Sequence, residues 1–374
     1  MDERKYWLGF SLVPDIGPKR LARLLNAFGS LSNAWQADER ALYESGLEER
    51  PTENLNRVRR QIDLDAQMAR VEKAGARLMT LADDDYPPLL RQVPDAPTVL
   101  YVRGTITPPD ELALAIVGTR KATNYGYQAA YRLAEQLARR GITVISGLAQ
   151  GIDTAAHRGA IDGGGRTFAI LGCGVDVAYP RENETLMRSV IECGAVISEL
   201  PLGTPPDARN FPPRNRIISG LSLGVLVIEA PEKSGALITA STAAEQGREV
   251  FAVPGNIFNR ASSGTNRLIQ DGAKLVMKVE DILEELNIAH DRVQTRRSTE
   301  GIASSSSANS SSGLGKMNES EARLMEHLNA DPTHIDDLVR LCGLPVAAIH
   351  SALTMLELKG LARNVGHMQY SRIR

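Results

Sequence analysis

Three arginines and one phenylalanine fall within eight residues, Arg209-Asn210-Phe211-Pro212-Pro213-Arg214-Asn215-Arg216. Guanidinium groups chelate phosphate oxygens, and an aromatic ring stacks on a nucleobase. Two prolines stiffen the approach. The following Ile217-Ile218-Ser219-Gly220 reads as the opening turns of a helix, whose amino-terminal amides favour an anion. The ordinary alternative is a solvated loop leading into a helix.

Three further segments carry the same kind of chemistry. Gly118-Thr119-Arg120-Lys121 joins a glycine, a hydroxyl and two cations at a strand-to-helix turn, a suitable cradle for phosphate. Gly147, Ala149 and Gly151, within Ser146-Gly147-Leu148-Ala149-Gln150-Gly151-Ile152-Asp153, let a bulky ligand approach the backbone. Asp153 is expected to cap the helix running through Ala160, and His157 on that helix to be structural. Lys233-Ser234-Gly235 offers another donor-rich helix start. None of these is a Gly-x-Gly-x-x-Gly fingerprint or a Walker loop, so dinucleotide and P-loop readings lack their key residues. Signs of catalysis are poor as well. There is no Ser-His-Asp order with an elbow, and Glu229 and Glu232 lack an acid partner at a diagnostic spacing.

Something must hold these turns on one rim. Six apolar runs do so: 112–118, 142–147, 166–174, 195–200, 224–230 and 249–255. Their starts lie about 25 to 30 residues apart, which suits strand–helix crossovers. Nearly continuous apolarity fits parallel strands covered on both faces. Gly118, Gly147, Gly174 and Gly255 close four of the runs, at the strand ends where such sheets bind ligands. The expected fold is therefore α/β, an extended Rossmann-like parallel sheet over residues 79–288.

Residues 1–78 read as helical, of SAM or helix-hairpin-helix type. Pro14-Asp15-Ile16-Gly17-Pro18-Lys19 opens a helix with Leu21, Leu24, Leu25 and Phe28 on one face. That turn is either a phosphate-approaching hairpin or an ordinary glycine turn between packed helices. Residues 289–317, with seven serines over 301–316, read as a flexible linker. Residues 318–374 then give helices over Glu319–Asn329, Ile335–Cys342 and Pro345–Lys359. Two wing strands, Leu361–Val365 and Met368–Ile373, complete the order of a winged helix. The third helix carries a single base, Lys359, beside Glu357, which is little charge for reading a major groove.

The net charge of −2 over 374 residues means that any binding of nucleic acid comes from a local patch rather than a global field. With 43% apolar residues there is ample material for a core. Cys173, Cys193 and Cys342 form neither a metal spacing nor a disulfide framework, which fits a reducing cytoplasm. The charged start MDERKYWLGF lacks the apolar run of a signal peptide, and no membrane-spanning segment is expected.

Taken in order, four motifs resemble the DNA-processing protein A (DprA, or Smf) family of bacterial natural transformation. They are Gly118-Thr119-Arg120; Ser146 to Ala149 with Gly151-Ile152-Asp153; Phe211-Pro212 with Arg214-Asn215-Arg216-Ile217-Ile218; and Ser234-Gly235 with Leu237-Ile238-Thr239-Ala240. Tyr86-Pro87, Leu90, Pro97 and Leu100 through Gly104 fit its lead-in. The resemblance is strong over roughly 80–280. It implies a single-stranded DNA binder that shields incoming DNA and loads the RecA recombinase onto it. It also implies a homodimer formed through the Rossmann-like core, with no cofactor and no enzymatic turnover. By position, Arg120 matches the family's phosphate-gripping arginine. Phe211 with Arg214, Asn215 and Arg216 matches the loop beside the DNA pocket, and Ser234 with Gly235 its opposite edge. Arg209 and Lys233 join the set on charge and location. Arg216 has an alternative role, tied to a core carboxylate.

Two competing readings remain. Rossmann-like proteins of the lysine-decarboxylase-like group cleave nucleotide phosphoribosyl bonds with a Pro-Gly-Gly-x-Gly-Thr run. Here that region reads Ala-Pro-Glu-Lys-Ser-Gly, without the run. A helix-hairpin-helix scaffold would instead place duplex binding in residues 11–30.

Overall fold

The computed structural model describes residues 3–288 and, further on, 323–325, 327–328, 333–343, 349, 352–353, 355–356, 361–366 and 369–372. The chain divides into two compact units, residues 1–301 and 302–374.

The apolar runs are strands. In chain order the sheet is built from β1 (Arg77–Thr80), β2 (Val99–Gly104), β3 (Ala113–Val117), β4 (Thr143–Ser146), β5 (Thr167–Ile170), β6 (Ala195–Ser198), β7 (Gly224–Val227), β8 (Glu249–Ala252) and β9 (Lys274–Leu275). Their spatial order is β1-β2-β6-β5-β4-β3-β7-β8-β9. From β6 to β9 every pairing is parallel. The two outer strands β1 and β2 pair antiparallel, with each other and with β6. All residues of β3, β4, β5, β6 and β7 are buried, which is why these strands lack polar alternation.

Strand order reverses at β3. The chain first walks outward through β4, β5 and β6, then returns to place β7 on the other flank of β3. The loops after β3 and β7 therefore diverge, leaving a crevice at the strands' carboxyl ends. Each strand stops one to four residues before its apolar run does, so the trailing glycines form the rim of that crevice.

The amino-terminal segment is helical: Arg4–Ser11, Pro18–Phe28, Leu31–Gln36, Glu39–Glu44, Glu49–Gln61 and Leu64–Lys73. Pro18 opens the second helix at its first turn, where no amide hydrogen is needed, and Gly29 closes it with φ 75°. Ser30 and Asp38 cap the next two through the amides of Asn33 and Ala41. Leu21 and Leu24 are buried. Phe10 meets Trp35 edge-on at 5.2 Å. Their cluster continues into Leu78, Tyr101 and Val196 of the sheet, so these helices share a core with it.

In the carboxyl-terminal unit, helix Ile335–Cys342 lies where the sequence places it. Strands Thr333–His334, Gln369–Arg372 and Ala362–Gly366 form a three-stranded sheet in that order. Leu324, Leu338, Leu353, Leu356 and Tyr370 belong to its core. The expected linker, and Glu357 and Lys359 of the expected third helix, lie outside the described residues. Among the described residues, no helix is long and apolar enough to cross a membrane.

Candidate nucleic-acid interface

The crevice at the β3/β7 switch holds a pocket of about 370 Å³. Gly118, Thr119 and Arg120 reach it from β3, Ala149 from β4, and Lys233, Ser234 and Gly235 from β7; Phe211, Arg214 and Asn215 supply its third side. Segments more than 100 residues apart in sequence thus share one rim. A recess of about 90 Å³ adjoins it, where Gly147 meets Arg120, Phe211 and Arg214. Gly151 lines neither space. It closes the β4 turn with φ 80° and ψ −121°, and a Cβ there would stand 2.5 Å from the carbonyl oxygen of Thr119. That position takes only glycine.

Phe211 is the first residue of helix Phe211–Gly220. Its ring stacks on Tyr179 at 5.8 Å and 26°, and the Arg120 guanidinium carbon lies 5.0 Å from its centroid. A Cβ on Gly172 would come within 2.8 Å of the same ring. Tyr179 is a residue the sequence reading missed. Its signal was an aromatic before Pro180 in the turn after β5, at the same rim as the other turns.

The three arginines of the opening motif separate. Arg214 is 6% exposed; one Nη donates to the carbonyl oxygens of Gly147, at 3.0 Å, and Ile170. Burial pulls its pKa down to about 10, still charged at neutral pH. Arg216 faces away from the pocket, donating to Glu199 at 2.5 Å and pairing with Asp95 at 3.1 Å. This is the carboxylate tie held open for it, and it takes Arg216 out of the groove. Arg209 also lies outside, its guanidinium paired with Asp207 at 2.7 Å in solvent. The guanidinium holds the Asp207 carboxyl down at about 2.

Asp153 corrects a second expectation. The helix cap is Gly151, and no side chain bonds there. The buried Asp153 carboxylate instead turns back to accept from the amides of Gly147, at 3.1 Å, and Ala149, at 3.3 Å. Burial pushes its pKa up, while Arg214 and those amides oppose the shift. Glu229 is also structural: it accepts from the Thr123 amide at 2.9 Å and hydroxyl at 2.5 Å, fixing the β3 turn to β7. Cys173, in the smaller recess, has its thiol pushed up to about 11 by burial.

His157 is buried against Thr167, with Nδ1 2.7 Å from the hydroxyl oxygen. That hydroxyl donates its proton to Val144, so Nδ1 of the imidazole is the donor. Burial, then the charge of Arg214, drives the His157 pKa down to about 3. Between the ordinary value near 6.5 and about 3, the unfolded chain binds a proton that the folded chain refuses. Its stabilising contribution is therefore present above about pH 6.5 and falls below it, by at most about 1.4 kcal/mol per pH unit. Asp153, shifted upward, contributes with the opposite sign. Urea titrations at about pH 7 and pH 5 should show wild type losing more stability than His157→Gln. Equal losses would remove His157 from the acid response.

Fold and rim together define a class: a Rossmann-like protein that carries a winged helix and has a basic, glycine-lined groove at its strand ends. Residues 77–287 match the family described as DNA recombination-mediator protein A, and residues 309–366 the DprA winged helix domain. The chain belongs to this DNA-processing protein A (DprA/Smf) family. Protein Smf of Synechocystis is 34% identical over 393 residues, 99% of each chain. The DNA processing protein DprA of Bacillus subtilis is 43% identical over 220 residues, 59% of this chain and 74% of that one. Among solved structures, DNA processing protein A of Streptococcus pneumoniae superposes with a TM-score of 0.66 at 34% identity, covering 76% of this chain and 98% of that one. The Helicobacter pylori protein, described for its single-stranded DNA binding mode, gives 0.51 at 29%, covering 57% and 97%.

Proposed function

We propose that this chain binds single-stranded DNA along the β3/β7 rim without reading its sequence. In this reading it shields incoming DNA in natural transformation and loads RecA onto it. It acts in the cytoplasm as a homodimer formed through the Rossmann-like core, and performs no catalysis. One observation carries the binding step. Arg120 and Lys233 share the pocket with the half-buried Gly118, the exposed Gly235 and Phe211, whose ring stacks on Tyr179 in the adjoining recess. Cations and amides grip phosphates of any sequence, and rings stack on any base. A duplex keeps its bases paired and has nothing to give the stack. The recombination-mediator role rests on the family and on the relatives named above.

The nucleotide-hydrolase alternative lacks its Pro-Gly-Gly-x-Gly-Thr run, and the exposed Glu232 does not line the pocket. The nearby Glu229 is spent on Thr123, which also counts against that alternative. Fluorescence anisotropy of a labelled single strand, competed with unlabelled single strand or duplex, tests the proposal. Single strand is expected to compete at least about tenfold better. With about three phosphates neutralised, log K should fall with log salt at a slope of about −2. Equal competition by duplex would move the binding to the terminal domains. No binding at low salt would return the pocket to a nucleotide ligand.

A further inference from the structure

Among the described residues, the most exposed aromatic side chain is that of Phe258. Phe258 is 89% exposed and its neighbour Ile257 80%, whereas Phe10, Phe168 and Phe251 are at most 2% exposed. Both lie in the turn between β8 and helix Ser263–Gln270. Because β8 runs parallel to β7, and β7 to β3, this turn emerges on the rim that carries the groove.

The turn is joined to the groove and built rigidly. The Gly264 amide donates to Ala230 at 2.8 Å, directly before the Pro231–Gly235 edge of the pocket. Tyr125, at the start of the helix after β3, donates its hydroxyl to the Pro254 carbonyl at 2.9 Å. Asn266 grips Gly255 from both sides, at 3.1 and 3.0 Å. Asn256 and Asn259 fold the tip by accepting from the amides of Phe258 and Ala261. Arg260 follows, exposed and, among the described residues, without an ion pair.

We propose that this turn is a second base-stacking platform, which carries a single strand leaving the groove out to the edge of the sheet. The inference rests on the reading of the groove given above. A protein partner would call for broad apolar area. The tip offers one ring and one aliphatic chain between asparagines and a cation, with the exposed Tyr125 ring held beside it at Pro254, which suits unpaired bases beside a phosphate. From the β5 turn that carries Tyr179 to the β8 turn is four strand spacings, about 19 Å at ~4.8 Å each. At about 3.4 Å per phosphate for a fully stacked strand, that span takes roughly five or six nucleotides, and an extended strand covers it with fewer. A strand confined to the groove should therefore miss Phe258, and a longer one should reach it.

The experiment compares oligothymidylates of about three and about twenty nucleotides by anisotropy, with wild type, Phe258→Ala and Arg120→Ala. Phe258→Ala is expected to bind the short strand within twofold of wild type and the long strand about tenfold more weakly, in the range of one stacked base. The long strand, and not the short one, should quench the added fluorescence of Phe258→Trp. If Phe258→Ala binds both lengths as wild type does while Arg120→Ala weakens both, the groove stands and the platform falls. If Arg120→Ala binds both lengths normally, the groove reading fails and the platform with it. If Phe258→Ala changes the sedimentation coefficient instead of the affinity, the ring covers a second copy of the chain and the proposal is overturned. Its exposure predicts an unchanged melting temperature, which separates each result from misfolding.

Discussion

Replacing Arg214 by alanine is expected to destabilise the protein by about 3 kcal/mol, the cost of breaking a buried charge pairing. The guanidinium ties two strand ends together by donating to Gly147 after β4 and Ile170 at the end of β5. It is also the charge that offsets the buried Asp153, which in turn holds the amides of Gly147 and Ala149. Removing it strands a carboxylate in the interior and leaves two carbonyls without their donor. Phe211 packs over the same group, 5.8 Å from centroid to guanidinium carbon, so the groove should loosen along with the core. Arg214→Lys should recover little, because one ammonium cannot reproduce the planar fork. Asp153→Asn added to Arg214→Ala should recover part of the loss, since the amide oxygen still accepts while the stranded charge is gone. A double-mutant cycle by thermal and urea denaturation measures this, with a coupling of about 1 kcal/mol or more expected. Additive losses would mean that Asp153 and Arg214 do not depend on each other.

The same residues mark how far the sequence could be read. Buried parallel strands announce themselves as apolar runs, and glycine turns at their carboxyl ends must share a rim. The gathering of Gly118 to Arg120, Ala149 and Lys233 to Gly235 was therefore legible. What each arginine faces was not. Arg214 and Arg216 are two residues apart on one helix, a rotation of about 200°. One consequently turns to the carbonyls of Gly147 and Ile170 and the other to Asp95 and Glu199. Their partners are set by packing between distant segments, which local pattern does not encode. Asp153 was misread because a carboxylate in a first helical turn so often caps it, whereas here the preceding loop folds back within reach. Strands β1, β2 and β9 lay outside the six apolar runs. β9 has two residues and β1 four, and both owe their extended form to a neighbour rather than to their own composition, whereas the apolar start of β2 was read only as part of the family's lead-in.

Arg120→Ala should weaken single-strand binding by about 1.5–3 kcal/mol, the range for hydrogen bonds to a charged group. This is roughly a 10- to 150-fold loss, and stability should not change. Arg120 is exposed, lies at the junction of pocket and recess, and makes no ion pair among the described residues. Its packing on Phe211 holds the guanidinium over the groove while leaving its donors free for phosphate. One phosphate contact fewer should also flatten the salt dependence by about 0.7 in slope. Arg120→Lys keeps the charge without the bidentate fork and should fall between the two. Arg216→Met supplies the contrast. Its partner Glu199 is largely buried, with burial already pushing that carboxyl up, so this variant should lose about 2 kcal/mol of stability and little affinity. Arg209→Ala, whose side chain is 88% exposed beside Asp207, should change neither by much. If affinity instead followed Arg216 or Arg209 and spared Arg120, the single strand would run across the outer face of helix Phe211–Gly220 and not through the β3/β7 crevice.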